Sequence, residues 1–262
     1  MIFATDLDRT LIFSMRALAE FNQSEKELIE VERTESHRSF ISQLSYELLQ
    51  KLTAKIEIIP VTTRTMEQYN RLSLPFFKKQ QGHYITSNGA VIVTSGIRDT
   101  EWDHILYEKM NQLAHPFSNI NELLLKFEKR QVLEVKRFQE LYFCLKIHQP
   151  GDPQACAPLL SEIENMGWDI FKHRNKTYIM PPFLQKGIAI QYLQKKVGKP
   201  VTWAAGDSKL DYSLLCASRQ SFVPKHGELA LNITESSACK KTKSSGIKAA
   251  EEILLTIYNQ VF

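Results

Sequence analysis

The chain has 262 residues, 43% of them apolar and 24% charged, and a net charge of +4. Such a length holds one large domain or a domain carrying a smaller insert, and so small a charge leaves no electrostatic footprint for nucleic acid. Four scattered cysteines, Cys144, Cys156, Cys216 and Cys239, form no Cys-x-x-Cys pair, which argues against a zinc site or a disulfide framework and fits a reducing cytoplasm. No apolar run approaches the roughly 18 residues needed to span a membrane. Asp6, Asp8 and Arg9 interrupt the first apolar residues too early for a signal peptide.

At the start, Ile2, Phe3 and Ala4 read as a short buried strand that ends abruptly in charge. Extended backbone beyond it sends Asp6 and Asp8 to one side and turns Leu7 to the core. Two clustered carboxylates repel and call for a cation, most naturally Mg²⁺, a hard ion that takes oxygen ligands. Residues 24–36 are polar and acidic, with no pattern to separate an extended helix from a mobile flap. Apolar residues at 40, 41, 44, 48, 49 and 52 predict a helix of about fourteen residues starting at 39. Residues 56–61 predict a second buried strand, running into Thr62, Thr63 and Arg64. Strand, helix and strand in that order imply a crossover connection and a parallel sheet.

Residues 66–74 read as helical up to Pro75, and 84–86 as a short strand. Asn88-Gly89 marks a tight turn into a partner strand at 91–93, so Asn88 is either turn chemistry or a substrate contact. Between 97 and 180 the rhythm changes to a helix at 119–129, strands at 132–138 and 141–148, a helix from Asp152-Pro153 to 166, and strands at 168–173 and 176–180 joined by Arg174-Asn175. That pattern predicts an antiparallel sheet with helices on one face. Leu141, Phe143, Leu145 and Ile147 face those helices, and Tyr142, Cys144, Lys146 and His148 the open side, where they are either solvated or meet a substrate.

Lys186 opens the next helix, which ends at Gly198. A cation at a helix amino end opposes the macrodipole, a conflict that a bound anion would resolve. Residues 201–205 form a third buried strand that ends in Gly206, Asp207, Ser208, Lys209, Leu210 and Asp211. A strand at 221–223 and a helix at 246–261 close the chain, with Lys240, Lys241 and Lys243 in a solvated loop between them.

Three strand ends therefore carry Asp6 with Asp8, Thr62 with Thr63, and Asp207 with Asp211, while Lys186 arrives at a helix start. Ligands of open parallel sheets bind outside the strands' carboxyl ends, where these groups suit phosphoryl transfer. The motifs Asp6-Leu7-Asp8-Arg9-Thr10, Thr62, Lys186-Gly187 and Gly206-Asp207-Ser208 with Asp211 resemble, over the whole chain, the haloacid dehalogenase superfamily of phosphohydrolases. The insert between the second and third motifs resembles the type IIB cap of the Cof-type and sucrose-phosphate phosphatases. The fold expected is α/β: a Rossmann-like parallel sheet core from residues 1–96 and 181–262, with an inserted α+β cap domain, an antiparallel sheet with two helices, at 97–180.

The resemblance implies an Mg²⁺-dependent phosphatase acting on a small phosphorylated metabolite, a sugar phosphate foremost, in the cytoplasm, with no nucleic-acid or membrane partner. Asp6 is implied as nucleophile, Asp8 as acid and base, and Thr62 and Lys186 as donors to the transferring group. Mg²⁺ is implied on Asp6, the main chain of Asp8, and Asp207, with Asp211 holding its waters or Lys186. Thr10 is implied to steady the loop, and Thr63, Arg64, Asn88, Lys146, His148 and Arg174 are candidate substrate contacts, with Lys172 and His173 beside them. The chain departs from the family's pattern at Arg9 and Thr63, where glycine is common, and at Leu210, where asparagine is. The same residues would also serve a phosphotransferase or phosphomutase, or a phosphate-binding protein.

Overall fold

The computed structural model describes residues 1–77, 82–128, 133–147, 156–173, 176–236 and 238–262. It divides into two compact units, Met1–Asp99 with Gln185–Phe262, and Thr100–Leu184. In chain order, the first unit begins with β1 (Ile2–Thr5), β2 (Phe13–Ser14), α1 (Met15–Glu20), β3 (Leu28–Arg33), β4 (Arg38–Ser42), α2 (Gln43–Leu52), β5 (Glu57–Pro60), α3 (Met66–Asn70), β6 (Tyr84–Thr86), β7 (Val91–Thr94) and β8 (Ile97–Arg98). The second unit holds α4 (Thr100–Asn111), α5 (Phe117–Glu128), β9 (Leu133–Phe138), β10 (Tyr142–Ile147), α6 (Ala157–Asn165), β11 (Asp169–His173) and β12 (Lys176–Met180). The first unit resumes with α7 (Lys186–Val197), β13 (Val201–Ala205), α8 (Tyr212–Cys216), β14 (Gln220–Val223), β15 (Cys239–Lys241) and α9 (Ile247–Val261).

Five parallel strands in the order β15-β14-β13-β1-β5 form the sheet of the first unit. Ile2, Phe3 and Ala4 are wholly buried, as a central strand covered on both faces requires. Thr5 is level with Ala205 on one side and Pro60 on the other. The residues that step off these strands, Asp6, Gly206 and Val61, therefore emerge side by side. Leu48, Leu49 and Leu52 of α2 and Ile253, Leu254 and Ile257 of α9 recur at helical spacing and join Phe3 and Trp203 in one core. Gly198, left-handed at φ 66°, ends α7.

The region after β1 differs from the sequence expectation. Residues 40 and 41 lie in β4, antiparallel to β2 and β3, and the helix starts only at Gln43, with the Ser42 hydroxyl accepting from the Ser45 N–H. Ser39, Phe40, Ile41 and Ser42 are all buried, so this strand shows none of the two-residue alternation that distinguishes strand from helix. Leu44, placed in the apolar stripe, is exposed. The segment 24–36 contains β3. Lys240 and Lys241 lie in the edge strand β15, not in a loop. Helix α3 stops at Asn70 rather than 74, and α4 was not foreseen because its buried residues, Trp102, Leu106 and Met110, make only a narrow stripe.

The second unit is a four-stranded antiparallel sheet in the order β11-β12-β10-β9. Phe143 and Leu145 pack with Ile120 and Leu124 of α5 and Leu159 and Ile163 of α6, the face expected of them. The opposite face is not open throughout: Tyr142, stacked on Phe138 at 4.5 Å, and Cys144 are buried as well. His148, Asp152, Pro153, Arg174 and Asn175 lie outside the described residues. Among the described residues no helix is long and apolar enough to cross a membrane.

Candidate active site

The loop after β1 is fixed by its own backbone. The Asp6 N–H donates to the Ala205 carbonyl at 2.9 Å, and the Leu7 carbonyl accepts from Thr10, Leu11 and Ile12 at 3.2, 2.9 and 2.9 Å. Leu7 is fully buried, so it anchors the loop between the two aspartates. Thr10 is also fully buried, and its hydroxyl finds no hydrogen-bond partner among the described residues.

Lys186 crosses to this loop from the first position of α7. Its Nζ donates to Asp6 Oδ1 at 2.7 Å and to Asp211 Oδ1 at 2.5 Å. The conflict between this cation and its helix end is thus answered by two carboxylates from neighbouring strand ends. Asp211 is committed on its other oxygen too, which accepts from the Asp207 N–H, the Ser208 N–H and the Ser208 hydroxyl at 3.2, 2.9 and 2.8 Å. Two glycines make the approach possible. A Cβ on Gly187 would fall 2.2 Å from the Ser213 carbonyl oxygen, and one on Gly206 would fall 2.3 Å from the Asp211 Cβ.

Asp8 takes a different partner. Arg64 donates Nε to Asp8 Oδ2 at 2.7 Å and Nη2 to Oδ1 at 2.8 Å, a two-pronged contact, and its Nη1 donates to Glu32 Oε2 at 2.7 Å. Arg64, expected to touch substrate, therefore spends its guanidinium within the protein. Thr62 is buried, with its Oγ1 accepting from the Arg64 N–H at 3.2 Å and its carbonyl from the Asn88 N–H at 3.0 Å. Asn88 has φ 58°, between Ser87 at 52° and Gly89 at 100°. Its turn chemistry is what brings it against Thr62, since asparagine tolerates the left-handed region. Thr63 follows in the same loop, half-buried. Lys146 and Lys172 are exposed on strands of the second unit.

Burial pushes Asp6 up to about 7, with the Asp211 and Asp8 carboxylates adding to the rise and Lys186 opposing it. Burial likewise raises Asp207 well above the carboxylate range, aided by Asp211 and Asp6. Burial works against the Lys186 ammonium, but Asp211 and Asp6 outweigh it and hold its pKa above the ordinary lysine value. For Asp8, burial acts to raise the pKa and the Arg64 hydrogen bonds prevail, holding it below the ordinary value. One oxygen each of Asp6, Asp207 and Asp211 lies within 4.8 Å of the others. Asp6 and Asp207 are unfavourable as neighbouring anions without more positive charge, so this donor set of hard oxygens fits a divalent cation such as Mg²⁺.

Arg9 adds a permanent positive charge nearby. It is left-handed at φ 66°, its Nε lies 3.6 Å from Asp207 Oδ2, and its Nη1 and Nη2 donate to Glu20 at 2.9 and 2.8 Å. Sequence reading did not single out Glu32 or Glu20. Glu20 carries no local signal, and Glu32 lay in a segment whose strands were not recognised.

The family described as sucrose-6F-phosphate phosphohydrolase matches residues 1–251. Among solved structures, the sucrose-phosphatase of Synechocystis sp. PCC6803, in complex with sucrose and phosphate, is 17% identical and superposes with a TM-score of 0.67 over 99% of this chain and 98% of that one. The protein TM0651 of Thermotoga maritima is 13% identical, with a TM-score of 0.64 over 97% of this chain and 96% of that one. The haloacid dehalogenase subclass IIB sugar phosphatase BT4131 is 14% identical, with a TM-score of 0.64 over 98% of each chain. At such identities the likeness shows the fold. No curated protein sequence matches the chain.

Proposed function

Since the chain belongs to the sucrose-6F-phosphate phosphohydrolase family, phosphoric monoester hydrolases of the haloacid dehalogenase type, we propose that it hydrolyses a small sugar phosphate through an aspartyl-phosphate on Asp6. The observation that carries this reading is the meeting of Asp6, Lys186, Asp207 and Asp211 at the ends of adjacent parallel strands. Asp6, Asp207 and the main chain at Asp8 are the groups proposed to hold Mg²⁺. Bound there, the ion would draw phosphate and carboxylate together and keep Asp6 ionised.

A carboxylate oxygen of Asp6 forms a bond to phosphorus as the bond from phosphorus to the sugar oxygen breaks. Asp8, which must first take up a proton against the pull of Arg64, gives it to the departing sugar oxygen. It then takes a proton from the water that attacks phosphorus, and the bond between phosphorus and Asp6 breaks to release inorganic phosphate. Lys186 holds Asp6 in line and offers positive charge to the phosphoryl oxygens, joined by the Thr62 hydroxyl. Asp211 positions Lys186 and the loop carrying Asp207.

The test is release of inorganic phosphate from a panel of sugar phosphates that includes sucrose 6F-phosphate, with Mg²⁺ or with a chelator. Release should depend on Mg²⁺ and fall by roughly 10³-fold or more in Asp6→Asn, as loss of a nucleophile does. A parent protein that releases no more phosphate than Asp6→Asn would refute the assignment.

A further inference from the structure

Glu32 is a buried acid that the proposed chemistry does not use. Its side chain is only 3% exposed, yet it sits on a hairpin strand whose other acid, Glu30, faces Arg33 and Arg38. The placement comes from an irregularity. Glu30 is opposite Phe40 and Glu32 is opposite Ser39, so Val31 is an extra residue in β3. A bulge of this kind re-aims the side chain that follows it. Without it Glu32 would share a face with Glu30; with it, Glu32 turns to the side of Ser39, whose hydroxyl donates to it at 3.3 Å, and meets Arg64.

From the bulge a chain of charge-assisted bonds leads to the candidate proton carrier. Glu32 Oε2 takes Arg64 Nη1 at 2.7 Å, and Arg64 Nε and Nη2 take both oxygens of Asp8 at 2.7 and 2.8 Å. A guanidinium is planar, so fixing its third nitrogen fixes the plane in which the Asp8 carboxylate must lie. The backbone of Arg64 is held as well, its N–H on Thr62 Oγ1 at 3.2 Å and its carbonyl accepting from the Ser87 N–H at 2.7 Å. Asp8 has little packing of its own to orient it: its side chain is 43% exposed, against 8% for Arg64. His37 Nε2 at 3.5 Å and Arg71 Nε at 3.9 Å complete the surroundings of Glu32. A buried ion pair contributes little net stability, so fixing a geometry is the use left for it.

We propose that Glu32 is a positioning residue for Asp8, acting through Arg64. The proposal rests on Asp8 being the proton carrier, and its test exploits what that role implies. A sugar alkoxide leaves only if protonated, whereas p-nitrophenolate leaves unaided, so misplacing Asp8 lowers kcat/KM, which reports formation of the aspartyl-phosphate, for the first substrate and spares it for the second, while the later attack of water is common to both.

Turnover of a sugar phosphate and of p-nitrophenyl phosphate is measured for the parent, Glu32→Gln, Arg64→Lys and Asp8→Asn. Glu32→Gln keeps the shape and removes the charge. Its kcat/KM on the sugar phosphate should fall about 10- to 100-fold, while kcat/KM on p-nitrophenyl phosphate stays within about 3-fold. Arg64→Lys, which keeps the charge and loses the fork, should show the same selectivity and serves if Glu32→Gln does not fold. An equal fall on both substrates, or no fall on either, in the variant that folds would overturn the inference, because a merely structural role does not distinguish leaving groups. If Asp8→Asn is selective and the others are not, the proton-carrier reading stands and the role of Glu32 is refuted. If Asp8→Asn is itself unselective, the reading beneath the inference fails and the inference with it.

Discussion

Around Lys186 one ammonium is shared by two buried carboxylates, with a third, Asp207, close by. Around Arg64 one guanidinium joins an enclosed carboxylate, Glu32, to a half-exposed one, Asp8. The two networks lie on the same edge of the same unit but are finished to different degrees. The first has more buried negative charge than its cation answers, which is the electrostatics of a site that takes up something positive. The second has its donors and acceptors matched and an outlet to solvent at Asp8, which suits holding a group still while it exchanges protons.

Deleting the cation in each place is the strongest way to break this comparison. Lys186→Met leaves Asp6 and Asp211 buried and unpaired and should cost roughly 3–5 kcal/mol of stability, with turnover lost as well. Arg64→Met strands only Glu32, because Asp8 can turn to water, and should cost less, about 1–3 kcal/mol. Denaturant unfolding of the two variants without metal measures both. Equal losses would show that Asp8 is as enclosed in solution as Asp6.

Acidity separates the networks next. Burial raises Asp6 from an ordinary 3.8 to about 7, so between those values the folded chain keeps a proton that the unfolded chain has lost. In the absence of metal, stability from this group therefore falls as pH rises through that window and is level above it. Asp6→Asn should reduce that slope, leaving the share that Asp207 contributes, whereas Glu32→Gln should leave it in place. A divalent cation competes with the same proton, so Mg²⁺ should raise Tm more at pH 8 than at pH 5. Thermal unfolding across pH, with and without Mg²⁺, reads both effects, and a Tm that Mg²⁺ leaves unmoved at pH 8 would remove the cation from this cluster.

The same contrast governs what the sequence could disclose. Asp6, Thr62, Lys186 and Asp207 were legible because each follows directly on a short apolar run or opens a clear amphipathic helix, and strand order then brings those ends together. Asp211 was implied by the resemblance of Gly206-Asp207-Ser208 with Asp211 to the family's fourth motif, although its double hold on Lys186 and on the 207–208 backbone was not. Glu32 was illegible for a physical reason. It depends on the extra residue Val31 in β3 and on its pairing with β4. β4 is buried on both faces and reads as the start of a helix. In the second unit the face of β10 toward the helices followed from alternation, but the burial of Tyr142 and Cys144 opposite did not, since period two says which face a residue takes and not what covers it.

Arg9, beside Asp8 in the chain and 3.6 Å from Asp207, carries the smallest effect. Its φ of 66° costs a non-glycine residue about 1 kcal/mol or more, which glycine would recover. Against that, Arg9→Gly gives up the bond to Glu20, whose side chain is 48% exposed, so the pair contributes roughly 0.2–1 kcal/mol. It also gives up the stacking of the guanidinium over Phe21 at 4.9 Å, about 0.5–1 kcal/mol. These nearly cancel, and denaturant unfolding without metal should place the variant within about 1 kcal/mol of the parent. A larger loss would mean that the approach of Arg9 to Asp207 at 3.6 Å does more than the exposed contacts do. The cluster around Lys186 would then draw on a second cation for its stability, and its shortage of positive charge would be smaller than Lys186 alone implies.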